Sequence, residues 1–499
     1  MERKSKLSLL CMAVPFIGTV GLTSCQQVKK ETKLNVLFVA VDDMNDWVGF
    51  LNGYPGVKTP NLDRLAERGV SFTNAHCPSP LCGPSRASVM SGLYPHKTGI
   101  YNNGQWWRPN YPEMVTIPMH FKANGYEVVG AGKIFHHTAG FNPPDQWNVF
   151  VPLTYDDPWD RESRVNYPQV KVEERPDWVP LSGLNIAHEF DWGALPGKPE
   201  EDYNDYKTVE WCINYLENKQ DDQPFFLACG LFHPHIPWYV PQKYFDLYPL
   251  DQIVLPTIYQ DDLNDIPPVG QEIAAVRRSH LKMIKKAEKW KNAIQAYLAS
   301  ISFADAQIGR LLDKLDQSGK ADNTIIVFWS DHGWHLGEKE HMHKMTLWER
   351  ATRVPFIVVD PRTGIKGSCN TPVNLVDIHK TLNELCGLPQ LPQLDGESLV
   401  PQLHDLNAKR ENPSLICYQK GNFALQDERY HYIQYHDGTE ELYDHQTDRH
   451  EWYNIANDKN NDLLNKYRKF IPQQIKDDVP KKGAFEFDYK NYTWKRKKK

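Results

Sequence analysis

Hydrophobic positions along this chain gather into short unbroken runs, and 35–41 (NVLFVAV) sets the pattern. The run is β-branched-rich, carries no polar residue after Asn35 and is bounded by polar residues, as a strand buried on both faces should be. Comparable runs occupy 127–131, 224–232, 324–329 and 354–360. Between them lie helical stretches at 61–68, 116–124 and 203–218, and a long one at about 285–315. Strand–helix alternation predicts an α/β domain whose large, mostly parallel sheet is sandwiched by helices. Ligands of such sheets bind beyond the carboxyl ends of the strands. Reactive residues are therefore expected directly after the runs.

Around 403–413 the pattern changes. Short alternating segments at 414–418, 429–435 and 440–443, with Asp437-Gly438 as a turn, predict a small antiparallel sheet. A helix near 462–476 should come next, and the basic run at 495–499 reads as a solvated end. The expected organisation is a main domain at 34–403 and a smaller C-terminal α+β domain at 404–499.

The first residues obey a different rule. Arg3, Lys4 and Lys6 precede an apolar stretch at 7–22, the layout of a secretory signal. It closes in Leu22-Thr23-Ser24-Cys25, which resembles a bacterial lipobox. That resemblance implies cleavage after residue 24, lipidation of Cys25 and a polar tether at 25–33. Acyl chains on Cys25 would hold the protein at a membrane without spanning it. The expected location is periplasmic or outer-membrane associated, with the cell surface also open. Acidic residues of the surface-export kind are missing directly after Cys25, which favours the periplasm.

Composition narrows the function classes. The 499 residues are 40% hydrophobic and 12% aromatic, ample for a packed core. Lys and Arg number 57 against 63 Asp and Glu, a net charge of −6, which argues against a nucleic-acid partner. Losing Glu2, Arg3, Lys4 and Lys6 with the signal takes that charge to −8. Past the N-terminus no apolar stretch approaches the roughly 20 residues of a membrane span. The nine cysteines include no Cys-x-x-Cys pair, and pairing among Cys77, Cys212, Cys229, Cys369, Cys386 and Cys417 is not legible from spacing.

Two acidic clusters come directly after runs: Asp42-Asp43 after the first, and Asp331-His332 after the fourth. Adjacent carboxylates repel each other, so burying them without a cation is costly. Brought together, three carboxylates and one imidazole would suit calcium or another hard divalent ion, with manganese or zinc left open by the histidine. Each cluster alone is weak, since an Asp pair after a strand is more often a helix cap.

Residues 82–92 read Cys82-Gly83-Pro84-Ser85-Arg86-Ala87-Ser88-Val89-Met90-Ser91-Gly92. Pro84 suits the first turn of a helix. Cys82 would then sit at a helix N-terminus, an anion-favouring place with Arg86 close by. This stretch resembles the signature of the type I, formylglycine-dependent sulfatases. The likeness extends through Gly132-Lys133…Phe135-His136, Pro234-His235-Ile236-Pro237 and Ser330-Asp331-His332-Gly333-Trp334. The Asp-His pair points to the iduronate-2-sulfatase branch.

The resemblance implies an alkaline-phosphatase-like fold and oxidation of Cys82 to formylglycine (3-oxoalanine) by a formylglycine-generating or anaerobic maturating enzyme. It implies one calcium ion on Asp42, Asp43, Asp331, His332 and the modified Cys82. Arg86 and Lys133 would hold the hydrate and sulfate charge. His136 would promote release of sulfate, and His235 and Lys344 would face the sulfate and the leaving oxygen. In the implied two-step reaction one hydrate hydroxyl attacks sulfur while His235 protonates the departing sugar oxygen. The second hydroxyl then expels sulfate.

Substrate choice is left to less specific residues. Trp106-Trp107-Arg108 after Asn102-Asn103-Gly104 is either a sugar-binding surface or a hydrophobic plug under a loop. His137, His233, Trp238, Tyr239, His341 and His343 are further candidates for lining a pocket. The expected substrate is a sulfated carbohydrate: an algal polymer such as ulvan, carrageenan or fucoidan, or a glycosaminoglycan uronate 2-O-sulfate. A phosphonate monoester or phosphodiester hydrolase and a non-catalytic glycan-binding lipoprotein are the alternatives.

Overall fold

All seven residues of the first strand, Asn35–Val41, are buried, and they split by alternation. Leu37, Val39 and Val41 enter one core, while Val36, Phe38 and Ala40 enter another on the opposite face. A strand can do this only at the centre of a sheet covered on both sides. The computed structural model describes residues 33–136, 146–154, 170–171, 180–186, 190–488 and 493–498. The signal segment, Cys25 and His137 lie outside the described residues.

The sheet has nine strands, in the order Gly367–Cys369, Val70–Phe72, Phe356–Val359, Thr324–Ser330, Asn35–Val41, Phe225–Gly230, Glu127–Gly132, Val149–Thr154 and Val170–Lys171. All neighbours run parallel except Phe356–Val359, which is antiparallel to both of its partners. The sheet is thus mostly parallel, as expected from sequence. The helices Asn204–Asn218 and Trp290–Gln317 cover one face, and Cys82–Ser91, Ile117–Ala123 and Asp377–Leu385 cover the other.

The long helix expected at about 285–315 is two helices, Arg278–Lys286 and Trp290–Gln317. Glu288 between them takes a left-handed backbone (φ 57°), with no Gly or Pro to announce the break. The C-terminal sheet has four strands, adding Phe423–Gln426 to the three expected. The helix after it, Asn461–Arg468, ends earlier than expected. The basic tail is only partly a loose end: Thr493–Arg496 pairs with Phe485–Asp488 in a hairpin.

Residues Leu34–Lys499 form one compact unit. The C-terminal sheet is tied to the larger part through Cys417 N–H to Pro78 O (2.9 Å) and Asn374 Nδ2 to Leu415 O (2.8 Å). Among the described residues no helix is long and apolar enough to cross a membrane.

Candidate active site

Register places the acidic clusters together. Val41 lies opposite Ser330 on adjacent parallel strands, so Asp42-Asp43 and Asp331-His332 leave the sheet side by side. Lys133 comes after the Glu127–Gly132 strand, and His235 after Phe225–Gly230. Cys82 opens the Cys82–Ser91 helix and points among them. Each of the strand-borne residues lies past its strand's carboxyl end, as the sheet architecture demands.

Around the Cys82 sulfur, Lys344 Nζ lies at 3.0 Å and His332 Nε2 at 3.2 Å. Lys344 also holds Asp43 Oδ1 at 2.5 Å, and Lys133 pairs with Asp42. His332 donates from Nδ1 to Gly333 O (3.0 Å), which leaves its Nε2 lone pair facing the acids. Arg86 is wholly buried and committed to protein groups. Its Nε donates to Asp331 Oδ2 (2.8 Å), and its other nitrogens meet the Val41, Lys133 and Ile134 carbonyls. It acts here by fixing Asp331, with its own Nη2 3.7 Å from Asp42 Oδ1, rather than by reaching open space.

Single donor atoms of Asp42, Asp43, Cys82 and His332 lie within 4.8 Å of one another, all in buried residues. Asp42 Oδ1 and Asp43 Oδ2 are buried and accept no hydrogen bond, whereas Asp42 Oδ2 is met by the Lys133 ammonium. Burial, reinforced by Asp42 and Asp331, pushes the Asp43 carboxyl well above its ordinary range despite Lys344. Burial likewise lifts Asp331 to about 7, with Arg86 opposing and Asp42 reinforcing. Asp42 goes the other way, because Lys133, His235 and Arg86 outweigh its burial. A divalent cation supplies the charge that these oxygens lack, and oxygen-rich donors fit a hard ion.

Burial, and then Asp42, push the Cys82 thiol upward beyond what Lys344 and Lys133 restore. An unmodified Cys82 is therefore a neutral thiol near pH 7, a poor nucleophile. Burial, then Lys133 and Lys344, hold His235 well below its ordinary value. His235 Nδ1 donates to Ile236 O, so its Nε2, 3.9 Å from Asp43 Oδ2, carries a lone pair in the resting site. An acid role for His235 thus requires it to take up a proton after the anionic substrate enters.

Three positioning groups had no signal in the sequence. Tyr297, on the long helix, donates to Asp43 O (2.6 Å) and accepts from Asn45 N–H (2.9 Å). It braces Asp43, which sits in the left-handed region (φ 63°). Ser330 Oγ accepts from Met44 N–H (3.0 Å), and Asn103 Oδ1 accepts from Gly83 N–H (2.8 Å). A Cβ at Gly83 would stand 2.7 Å from that same Asn103 oxygen.

Most expected pocket residues lie elsewhere. Trp106 is buried edge-on to Trp494 of the C-terminal hairpin (5.3 Å), and Trp107 stacks on Phe135 (5.5 Å). Arg108 lies beside the Trp107 ring. The three fit the plug reading, because neither indole face is open. Trp238 and Tyr239 are core residues, bonded to Pro234 O (2.7 Å) and Asp191 (2.7 Å). His233 turns away to Asp205 (2.7 Å). His341 bridges Ala274 O (3.1 Å) and Lys344 O (2.7 Å), so it positions Lys344. His343 packs against Trp334 (4.3 Å) beside the site, and His136 is half-buried just beyond Lys133. Trp106→Ala is expected to cost about 3–5 kcal/mol of stability, as a large core truncation does. Denaturant unfolding checks this, with the folded fraction keeping its activity.

The profile of the sulfatase family matches residues 34–388, and that of the N-sulphoglucosamine sulphohydrolase C-terminal region matches 337–477. A sulfatase of Formosa agariphila is 40% identical over 482 residues, covering 94% of this chain and 91% of its own length. Human iduronate 2-sulfatase is 33% identical over 372 residues, covering 69% of this chain and 64% of its own. A solved protein in complex with its substrate D-glucosamine-2-N,6-O-disulfate superposes with a TM-score of 0.69 at 21% identity, covering 88% of this chain and 97% of its own. The phosphonate monoester hydrolase of Agrobacterium radiobacter also gives 0.69, at 19% identity over 94% of this chain and all of its own. At such identities the last two speak for the fold alone.

Proposed function

The chain belongs to the sulfatase family and is a sulfuric ester hydrolase, and from that premise we infer that it releases sulfate from a sulfated carbohydrate during polysaccharide breakdown. The observation that carries the reading is Cys82 at a helix N-terminus, within reach of Lys344, His332 and a cluster of buried carboxylates. Sulfated algal polymers and uronate 2-O-sulfates of glycosaminoglycans are the substrates it points to. Similarity to iduronate 2-sulfatase supports a sulfate near a carboxylated sugar. Sulfate release from a panel of defined sulfated oligosaccharides tests the reading. A phosphate diester measured beside the equivalent sulfate ester separates it from phosphonate and phosphodiester hydrolysis.

Asp42, Asp43, Asp331 and His332 would hold calcium, and formylglycine at position 82 would complete the set. When bound, the ion withdraws charge from sulfate oxygens and the aldehyde hydrate supplies the nucleophilic oxygen. The chain's own residues do the rest. Lys344 and Lys133 bring positive charge to a water-poor site, where it counts for more than in solvent. Arg86 and Tyr297 keep the acids from rearranging. His235 Nε2 receives a proton and passes it to the departing oxygen, while His136 serves sulfate release. His235→Ala is expected to slow sugar sulfates about 10²–10⁴-fold but activated aryl sulfates far less, since a good leaving group needs no acid. Equal losses for both substrates sink the acid role.

The N-terminal lipobox supports export as a lipoprotein anchored through Cys25, facing the periplasm. A dedicated maturation enzyme would oxidise Cys82 before or during export.

A further inference from the structure

Between residues 277 and 289 six cations stand against one carboxylate, Glu288, in a chain of net charge −6. Arg278, Lys282, Lys285, Lys286 and Lys289 recur at helical spacing and form a stripe along and just past the Arg278–Lys286 helix. Leu281, Ile284 and His280 face inward, so the stripe faces solvent. Several helical cations elsewhere on the described surface find acids: Arg310 pairs with Glu210, Lys314 with Glu217, and Lys207 with Asp202. Here Arg277, Lys282 and Lys286 are exposed and have no carboxylate partner among the described residues.

The stripe begins beside the loop that leads to Lys344. Arg278 Nε meets Glu340 Oε2 (3.1 Å), in the loop that carries Lys344 inward. His341 of that loop joins Ala274 O, just before the helix, to Lys344 O. Arg277 sits between, in the left-handed region (φ 66°), with its side chain in solvent. Its charge reaches His341 and His343, where burial first acts against protonation; at His341 the hydrogen bonds to Ala274 O and Lys344 O oppose that effect. Cations thus border the loop that leads to Lys344, with Glu340 between, and continue over the helix, whose nine residues span about 13 Å.

We propose that Arg277 and the Arg278–Lys286 helix form a binding strip for a polyanionic sugar chain whose terminal sulfate enters the pocket at Cys82. The proposal rests on the sulfatase reading and adds to it a substrate class: a chain with anionic groups on several successive sugars. A singly sulfated neutral sugar would leave the strip idle. Unpaired, closely spaced cations attract such a chain, and salt screens that attraction.

The test is binding of a fluorescent heparin oligosaccharide by anisotropy, beside hydrolysis of 4-nitrophenyl sulfate, which is too small to reach the helix. Arg277→Ala/Lys282→Ala/Lys286→Ala is expected to weaken heparin binding about tenfold and flatten its salt dependence. Lys495→Ala/Lys497→Ala in the tail should leave binding unchanged. Unchanged affinity in the helix variant overturns the strip, and so does an equal loss in the tail variant. Loss of binding to vesicles of about one-third phosphatidylglycerol, with heparin binding intact, overturns it in favour of a membrane surface. A wild-type protein that binds heparin through the helix yet hydrolyses no sulfate ester keeps the strip and defeats the sulfatase reading instead.

Discussion

Cys82→Ala is expected to reduce sulfate release by about 10⁴-fold or more, the scale seen when a covalent nucleophile is deleted. The fold should survive. Alanine removes one small buried atom at the start of a helix, a change on the order of 1 kcal/mol. The physical reason for so large a loss lies in the surroundings. Lys344, Lys133 and His332 converge on the position occupied by the sulfur, and among the described residues no hydroxyl or second thiol is shown bonded to it. Water could in principle take over, but the site is buried and its cations are spent on carboxylates. Sulfate release measured on a purified, folded variant decides the matter, and hydrolysis at the wild-type rate rejects the assignment. Peptide mass spectrometry across Cys82 from the native host is the companion measurement. A neutral, buried thiol is a poor nucleophile, so an unmodified cysteine in active protein would defeat the scheme.

Removing the divalent ion is the second large effect. Asp43→Asn should lose stoichiometric calcium and activity together, by more than the roughly 10–100-fold typical of groups that merely orient a metal ligand. Elemental analysis and sulfate release read the two losses, and calcium bound as in wild type overturns the ligand assignment. The acids also set the dependence on pH. In the ion-free protein Asp43 lies above its ordinary range and Asp331 at about 7, so both favour protons. Groups raised in the folded state support folding below their ordinary values and withdraw that support as pH rises through the folded value. The ion-free protein should therefore become less stable from about pH 4 to 7 on account of Asp331. Asp42, held low, acts in the opposite sense at more acidic pH. A bound cation reverses the penalty on Asp43 and Asp331 by displacing their protons. The rise in melting temperature on adding calcium is expected to be larger at about pH 8 than at about pH 6. A shift independent of pH counts against these carboxylates as ligands.

How much was legible in the chain depends on whether the signal was local. The first strand was read to its boundaries because both faces are buried and every position says so. Asp42, Asp43, Asp331 and His332 stood out because a parallel sheet gathers the residues just past its strand ends, whereas Lys133 came from the family resemblance alone. The Glu288 break was silent, since nothing in its residue type forbids a continuing helix. Trp106 and Trp107 stayed open between two readings, because an aromatic pair after a glycine loop has the same pattern whether it binds sugar or plugs a core. The ring that covers Trp106 comes from Trp494, hundreds of positions away.

Order along the chain was therefore enough to specify the sheet class and to point to Cys82 and the acids gathered around it, because these depend on periodicity and on motifs a few residues long. Which aromatics are core, which histidine braces Lys344, and how Tyr297 supports a left-handed Asp43 are settled by contacts between distant segments. Such contacts arise when packed layers close over one another, and no local pattern of residues encodes them.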